Sequence, residues 1–317
     1  MNIPIVGGIA AGKSTFVHLS LMALDTKLGE RAMTFAMSDQ HVQFQTGVEL
    51  IQGGARLHKT LPDRLPDGLM VDVSTGGRGD RILYLYDPAG EWYTSGDRSD
   101  SQTYLDHATG LVVVVDPMAL DTVVQSLDDE QRARVHSALG GGVIAISVAA
   151  DAVVGRLLAT LRARGKLRRI RRVAVVVSKA DALVGSAIGR DLGSGADGPP
   201  SQLAVRTWLE TAEWGDSVRA LEQHVGAVRF YRSGFDMTPK DLAEPLQWVG
   251  GLGTSGIARD AVNPEVRDTS RRELGAPRGF RVGRVAARAH SLVAATLTLL
   301  VLGAATAGLI IGVFPGG

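Results

Sequence analysis

Apolar residues fall in short runs along the chain, at residues 3–6, 33–37, 69–73, 82–86, 111–115, 173–177 and 227–231. Helical spacing fills most of the gaps. Near-continuous Val, Ile and Leu predicts strands buried on both faces, and strand–helix alternation predicts an α/β fold: a mainly parallel, three-layer sheet that binds ligands at the carboxyl ends of its strands. One connection differs, because residues 74–80 are too few for a crossover helix. Strands 69–73 and 82–86 are therefore predicted to pair as one antiparallel hairpin. Pro4 lies inside the first run and has no amide to donate, so either that strand is locally irregular or the natural chain begins further upstream.

The periodic pattern covers residues 1–248. Residues 249–282 are rich in Gly, Arg, Ser and Pro and read as a flexible linker. Residues 185–200 have a similar composition and are predicted to be a mobile surface loop. Residues 283–317 carry a basic flank followed by 24 residues, 291–314, without a charged side chain. As a helix these would reach roughly 36 Å, enough to cross the hydrocarbon core of a bilayer, which is roughly 30 Å thick. Arg271, Arg272, Arg278, Arg281, Arg284 and Arg288 precede that stretch against the single acid Glu273. The expectation is a single-pass cell-membrane protein with its N-terminal domain in the cytoplasm.

Composition removes several classes of function. The chain has no cysteine, which excludes disulfide scaffolds, thiol catalysis and thiolate metal sites. Its seven histidines show no ligand spacing, so no zinc site is expected. A net charge of +1 leaves no global field to gather polyanions. Between residues 156 and 172 eight cations occur without an acid. They read as a solvated helix end or, more sharply, as a contact for anionic lipid; no aromatic residue interleaves them, so no specific nucleic-acid binding is expected. Residues 203–214 have helical spacing, and Trp208 and Trp214 within them read as packing residues.

Residues 7–15, Gly-Gly-Ile-Ala-Ala-Gly-Lys-Ser-Thr, match the G-x-x-x-x-G-K-[ST] phosphate loop directly between a strand and a helical segment. Main-chain amides of Gly7, Gly8, Ala10, Ala11, Gly12 and Thr15 would wrap phosphates. Lys13 would reach their outer oxygens, and the Ser14 hydroxyl would ligate Mg2+. The alternative is a tight glycine turn. Asp87-Pro88-Ala89-Gly90-Glu91 closes the strand 82–86. It would place a carboxylate for Mg2+ and the Gly90 amide beside the terminal phosphate, unless it is a plain strand-ending turn. Ser178-Lys179-Ala180-Asp181 ends the strand 173–177. Asp181 can accept from the two edge donors of guanine, a pairing adenine cannot make; the alternative is a helix N-cap.

These three motifs in this order resemble the GTPase superclass that includes Ras-like and translation-factor domains, and most closely the bacterial double-GTPase domains. The resemblance covers residues 1–248. It implies that Lys13, Ser14, Asp87, Gly90, Lys179 and Asp181 carry phosphate, Mg2+ and base recognition. It also implies a switch-loop threonine, expected at Thr60 with Thr46 as competitor, that offers its hydroxyl and backbone to Mg2+ and the γ-phosphate. Ser233 would add a backbone amide to the base, unless Ser233-Gly234 is only a turn. Two departures stand out. Glu91 occupies the place of the water-orienting Gln and implies slow hydrolysis, and Ser178 replaces the usual Asn or Thr. The reading is a membrane-tethered GTP-binding protein that hydrolyses GTP to GDP with Mg2+. A protein partner or a second protomer would supply activation, because no arginine finger is identifiable. The rival readings are an ATP-using phosphate-loop enzyme and a non-hydrolysing nucleotide-binding scaffold.

Overall fold

Strands form where the apolar runs lie: β1 (Asn2–Gly7), β2 (Met33–Phe35), β3 (Gly68–Val73), β4 (Arg81–Tyr86), β5 (Gly110–Val115), β6 (Arg172–Val177) and β7 (Val228–Arg232). In this computed structural model they make one sheet in the order β2-β3-β4-β1-β5-β6-β7. The structure describes residues 1–28, 33–55, 57, 68–74, 81–88, 90, 99–138, 150–195 and 201–252. All of them belong to one unit, Met1–Ile257. Residues 291–314, the expected span, and nearly all of the expected linker lie outside them. No helix among the described residues is long and apolar enough to cross a membrane.

β3 runs antiparallel to both β2 and β4, while β1, β4, β5, β6 and β7 are mutually parallel. The hairpin expected from the short connection is thus present. Alternation along each strand builds two cores. Leu111, Val113, Val115, Val173, Val175 and Val177 face one side, where α3 (Asp121–Ser126), α5 (Ala150–Ala163), α7 (Gln202–Leu209) and α8 (Gly215–His224) supply Val123, Leu157, Trp208 and Leu221. Val112, Val114, Ala174 and Val176 face the other, where α1 (Lys13–Leu28) packs on α9 (Pro239–Val249) and α2 (Ser38–Gln52) contributes Phe44. Each fully buried Val or Leu side chain stabilises the fold by roughly 1.5–3 kcal/mol, and the two layers hold the strand ends rigidly.

The irregularity expected at Pro4 is real. β1 meets β5 at Asn2–Ala108 and next at Ile5–Val112, so β5 carries one extra residue in between. Asn2 faces β5, its carbonyl accepting from Thr109 N at 3.0 Å. By the two-residue alternation Pro4 faces β5 as well, and it brings no N–H to that ladder.

Two segments differ from expectation. The first half of the stretch expected as a mobile loop contains a short helix, α6 (Ala187–Asp191), capped by the Ser186 hydroxyl, which accepts from Gly189 N at 3.0 Å. Gly189, Leu192 and Ser194 there are buried. A serine cap and two small buried residues outweigh the glycine-rich composition; residues 196–200 lie outside the described set. The helix expected over residues 203–214 ends at Leu209 and continues as a π-helical turn, Glu210–Trp214, with Glu213 at φ 63°. That wide turn seats the fully buried Trp214.

Candidate functional site

Five loops leave the carboxyl ends of five mutually parallel strands, so residues far apart in sequence share one sheet edge. The loop after β1 turns through left-handed residues Ala10 (φ 57°) and Gly12 (φ 82°) before α1 begins at Lys13. The Lys13 ammonium, buried at 7% exposure, folds back over that loop and donates to Gly7 O at 3.2 Å and Gly8 O at 3.0 Å. The first turn of α1 holds no acid, which keeps the positive end of the helix dipole available to an anion.

The loop after β4 meets it. Ser14 Oγ donates to Asp87 Oδ2, and Asp87 Oδ1 is buried without a hydrogen-bond partner among the described residues. Burial pushes the Asp87 carboxyl above its ordinary value, with Lys13, the Ser14 hydroxyl and His18 pulling the other way. A buried carboxylate with an orphaned oxygen beside a hydroxyl is the hard-oxygen donor set that suits Mg2+. Gly90 touches the phosphate loop directly: a Cβ there would lie 2.5 Å from Ile9 N and 2.6 Å from Gly8 O. Any side chain at position 90 would have to displace that backbone.

The loop after β6 closes the other flank. Ser178 Oγ donates to Ala11 O at 2.7 Å and Val115 O at 3.1 Å, so this serine ties β6 and β5 to the phosphate loop. A Cβ on Gly12 would sit 3.5 Å from Ser178 Cβ and 3.9 Å from Lys179 Cε. Lys179 adopts φ 52° and donates to Asp116 Oδ2 at 2.5 Å. Asp181 meets the loop after β7: a Cβ on Gly234 would lie 2.6 Å from Asp181 Oδ1 and 2.7 Å from Asp236 Oδ1. Burial, then the charge of Asp236, pushes the Asp181 carboxyl up, while amide donors from its own residue and from Phe235 oppose this.

The structure thus gathers Gly7, Gly8, Ala10, Ala11, Gly12, Lys13, Ser14, Thr15, Asp87, Gly90, Ser178, Lys179 and Asp181 at one edge; Ser233 lies there too, but its amide, expected to meet the base, donates instead to Val177 O at 2.7 Å. Thr60 and Glu91 lie outside the described residues. Thr46 sits in α2 with its hydroxyl bonded back to Val42 O at 3.0 Å.

Four features escaped the sequence reading. Asp116, 8% exposed, accepts from Lys179 and from Met118 N and so fixes the lysine in its left-handed turn. It follows the apolar run of β5 just as Asp87 follows β4, and that parallel was the available signal. Arg232, 2% exposed within β7, donates to Asp236 Oδ2 at 2.6 Å. Phe235 stands 62% exposed between Gly234 and Asp236, the first exposed residue after a run of buried ones. The fourth, His18, bonds through Nδ1 to Ser14 O at 2.8 Å and stacks on Phe44, linking α2 to the Ser14–Asp87 flank.

Among curated proteins, none matches this chain. A family model described as Double-GTPase 2 matches residues 1–248, the stretch that contains all five edge loops. The chain therefore belongs to the Double-GTPase 2 family, and its domain has a P-loop GTPase fold.

Proposed function

We propose that this domain is a guanine-nucleotide switch that takes up GTP with Mg2+, hydrolyses it slowly to GDP and is held at a membrane by residues 291–314. The observation that supports the nucleotide part is the Ser178 hydroxyl donating to Ala11 O at 2.7 Å, which sets the loop after β6 against the phosphate loop. Main-chain amides around Ala10–Ser14 bind the phosphates, and Lys13 leaves the Gly7 and Gly8 carbonyls for phosphate oxygens. Asp181 accepts from the guanine edge. Ser14 and Asp87 would hold Mg2+, which when bound would neutralise charge on the transferring phosphoryl group. Release of the Gly90 backbone, which packs on Gly8 and Ile9, when the γ-phosphate leaves is the switch.

Single-turnover release of phosphate from GTP tests the catalytic part. A Mg2+-dependent rate above buffer, raised by cell extract, is expected. A rate equal to buffer in both conditions would reduce the domain to a static nucleotide-binding scaffold.

Two further outcomes follow from the same geometry. The Asp87 carboxyl titrates above its unfolded value, so ionising it opposes folding: its contribution is least unfavourable at low pH and grows worse as pH rises through the folded pKa. Asp87→Asn should therefore raise the melting temperature of the nucleotide-free protein at pH 7, by about 2–4 °C for each kcal/mol relieved, while abolishing the tightening of GDP binding by Mg2+. Thermal unfolding and titration with and without Mg2+ check both. Phe235 covers a face of the bound purine, because its amide already bonds the carboxylate that reads the purine's edge. Phe235→Ala should weaken GDP by about 1–3 kcal/mol and leave pyrophosphate unaffected; an unchanged GDP affinity removes Phe235 from the site.

A further inference from the structure

The opposite end of the sheet carries a concentrated positive charge. Arg81 opens β4 and Arg172 opens β6, with Arg171 just before it and Arg229 one residue into β7. Since these strands are parallel, all four lie away from the phosphate loop, a strand length of roughly 20 Å from it. α9 runs back across the sheet and ends here: a Cβ on Gly110, at the start of β5, would lie 2.5 Å from Val249 Cγ1.

Some of these cations have structural work. Arg81 donates to Gly250 O at 3.3 Å and Arg172 to Trp248 O at 2.8 Å, satisfying carbonyls at the end of α9. Arg229 and Arg172 lie over the Trp248 ring at 5.0 and 5.9 Å. Arg164 pairs with Asp106 at 2.9 Å. Others do not. Arg168, Arg169 and Arg171 are exposed and, among the described residues, form no ion pair, and Lys166 beside them forms none either. Burial and then the like charges of Arg229, Arg81 and Arg171 push the Arg172 guanidinium below its ordinary value.

The described residues also end at this face. The last described residue, Leu252, lies just beyond Gly251, whose Cβ would come within 2.8 Å of Arg81 Nη1 and 2.9 Å of Arg172 Nη1. Thirty-eight residues, 253–290, then lead into the uncharged stretch 291–314. We propose that Arg168, Arg169 and Arg171, with Lys166, form a docking face for an anionic bilayer surface, which holds the domain with its nucleotide edge turned away from the lipid. This rests on the membrane attachment proposed above for its partner, and on the arginine cluster for its location.

The absence of cysteine makes the test direct. The full chain carrying Ala163→Cys, an exposed position at the end of α5, is labelled with an environment-sensitive dye. It is then floated with vesicles of phosphatidylcholine alone or with 30% (about one third) phosphatidylserine. Dye emission should rise on the phosphatidylserine vesicles only and fall back when salt is raised to about 1 M. Arg168→Glu combined with Arg169→Glu and Arg171→Glu should weaken that response by at least about a hundredfold in lipid concentration, with GDP affinity unchanged. The same emission on both vesicle types, or a response indifferent to the charge reversals, overturns the proposal. A chain that ignores phosphatidylcholine but still responds to phosphatidylserine supports the docking face and removes the membrane span instead.

Discussion

Replacing Lys13 with alanine is expected to weaken GTP and GDP binding by at least about a hundredfold, because charge-assisted hydrogen bonds contribute roughly 1.5–3 kcal/mol each and the ammonium can make more than one. The side chain is already delivered to the loop, donating to the Gly7 and Gly8 carbonyls. Binding therefore needs only an exchange of acceptors, not a search for a conformation. Circular dichroism and thermal unfolding of the variant would verify that the fold survives, and calorimetric titration with GDP measures the loss. An affinity equal to that of the parent would be fatal to the phosphate-loop assignment.

The second large effect concerns the other end of the nucleotide. Asp181→Asn should lower GTP affinity by about three orders of magnitude or more, since the amide accepts one hydrogen bond where the carboxylate accepts two and its NH2 then faces a donor. Xanthosine triphosphate, which carries a carbonyl where guanine carries the amino group, should gain affinity for the variant and become its preferred ligand. Competition between the two nucleotides reads this reversal without requiring an absolute constant. A variant that merely loses both would show that Asp181 supports the loop and does not read the base. The neighbouring Arg232–Asp236 pair makes the distinction meaningful, because it anchors the 233–236 turn independently of Asp181.

Much of this arrangement was legible before any coordinates. The seven apolar runs became the seven strands because strands of a sheet covered on both faces tolerate little else, and the short connection after Val73 could only be a hairpin. The phosphate loop was legible for the same kind of reason, since glycine, lysine and serine at those spacings serve few other chemistries. What escaped depended on contacts across the fold. Nothing local marks Asp116 as the partner of Lys179, 63 positions away. Arg232 falls just past the apolar run 227–231, and its burial becomes sensible only with Asp236 beside it. Ser178 was read as a substitute in base recognition, whereas its hydroxyl is spent on the Ala11 and Val115 carbonyls. The helix at Ala187–Asp191 was hidden by a glycine-rich composition that says nothing about a serine cap. Thr60 and Glu91, which bear on the hydrolysis rate, fall outside the described residues.

The central claim is that one cleft holds a triphosphate at Lys13 and a guanine at Asp181. Equilibrium titration of the full chain with GTP and with ATP, in the presence of Mg2+, tests it most directly. The account predicts GTP binding tighter by about a thousandfold or more, because adenine turns a lone pair toward the Asp181 carboxylate where guanine turns a donor. ATP binding as tight as GTP, or tighter, would contradict it.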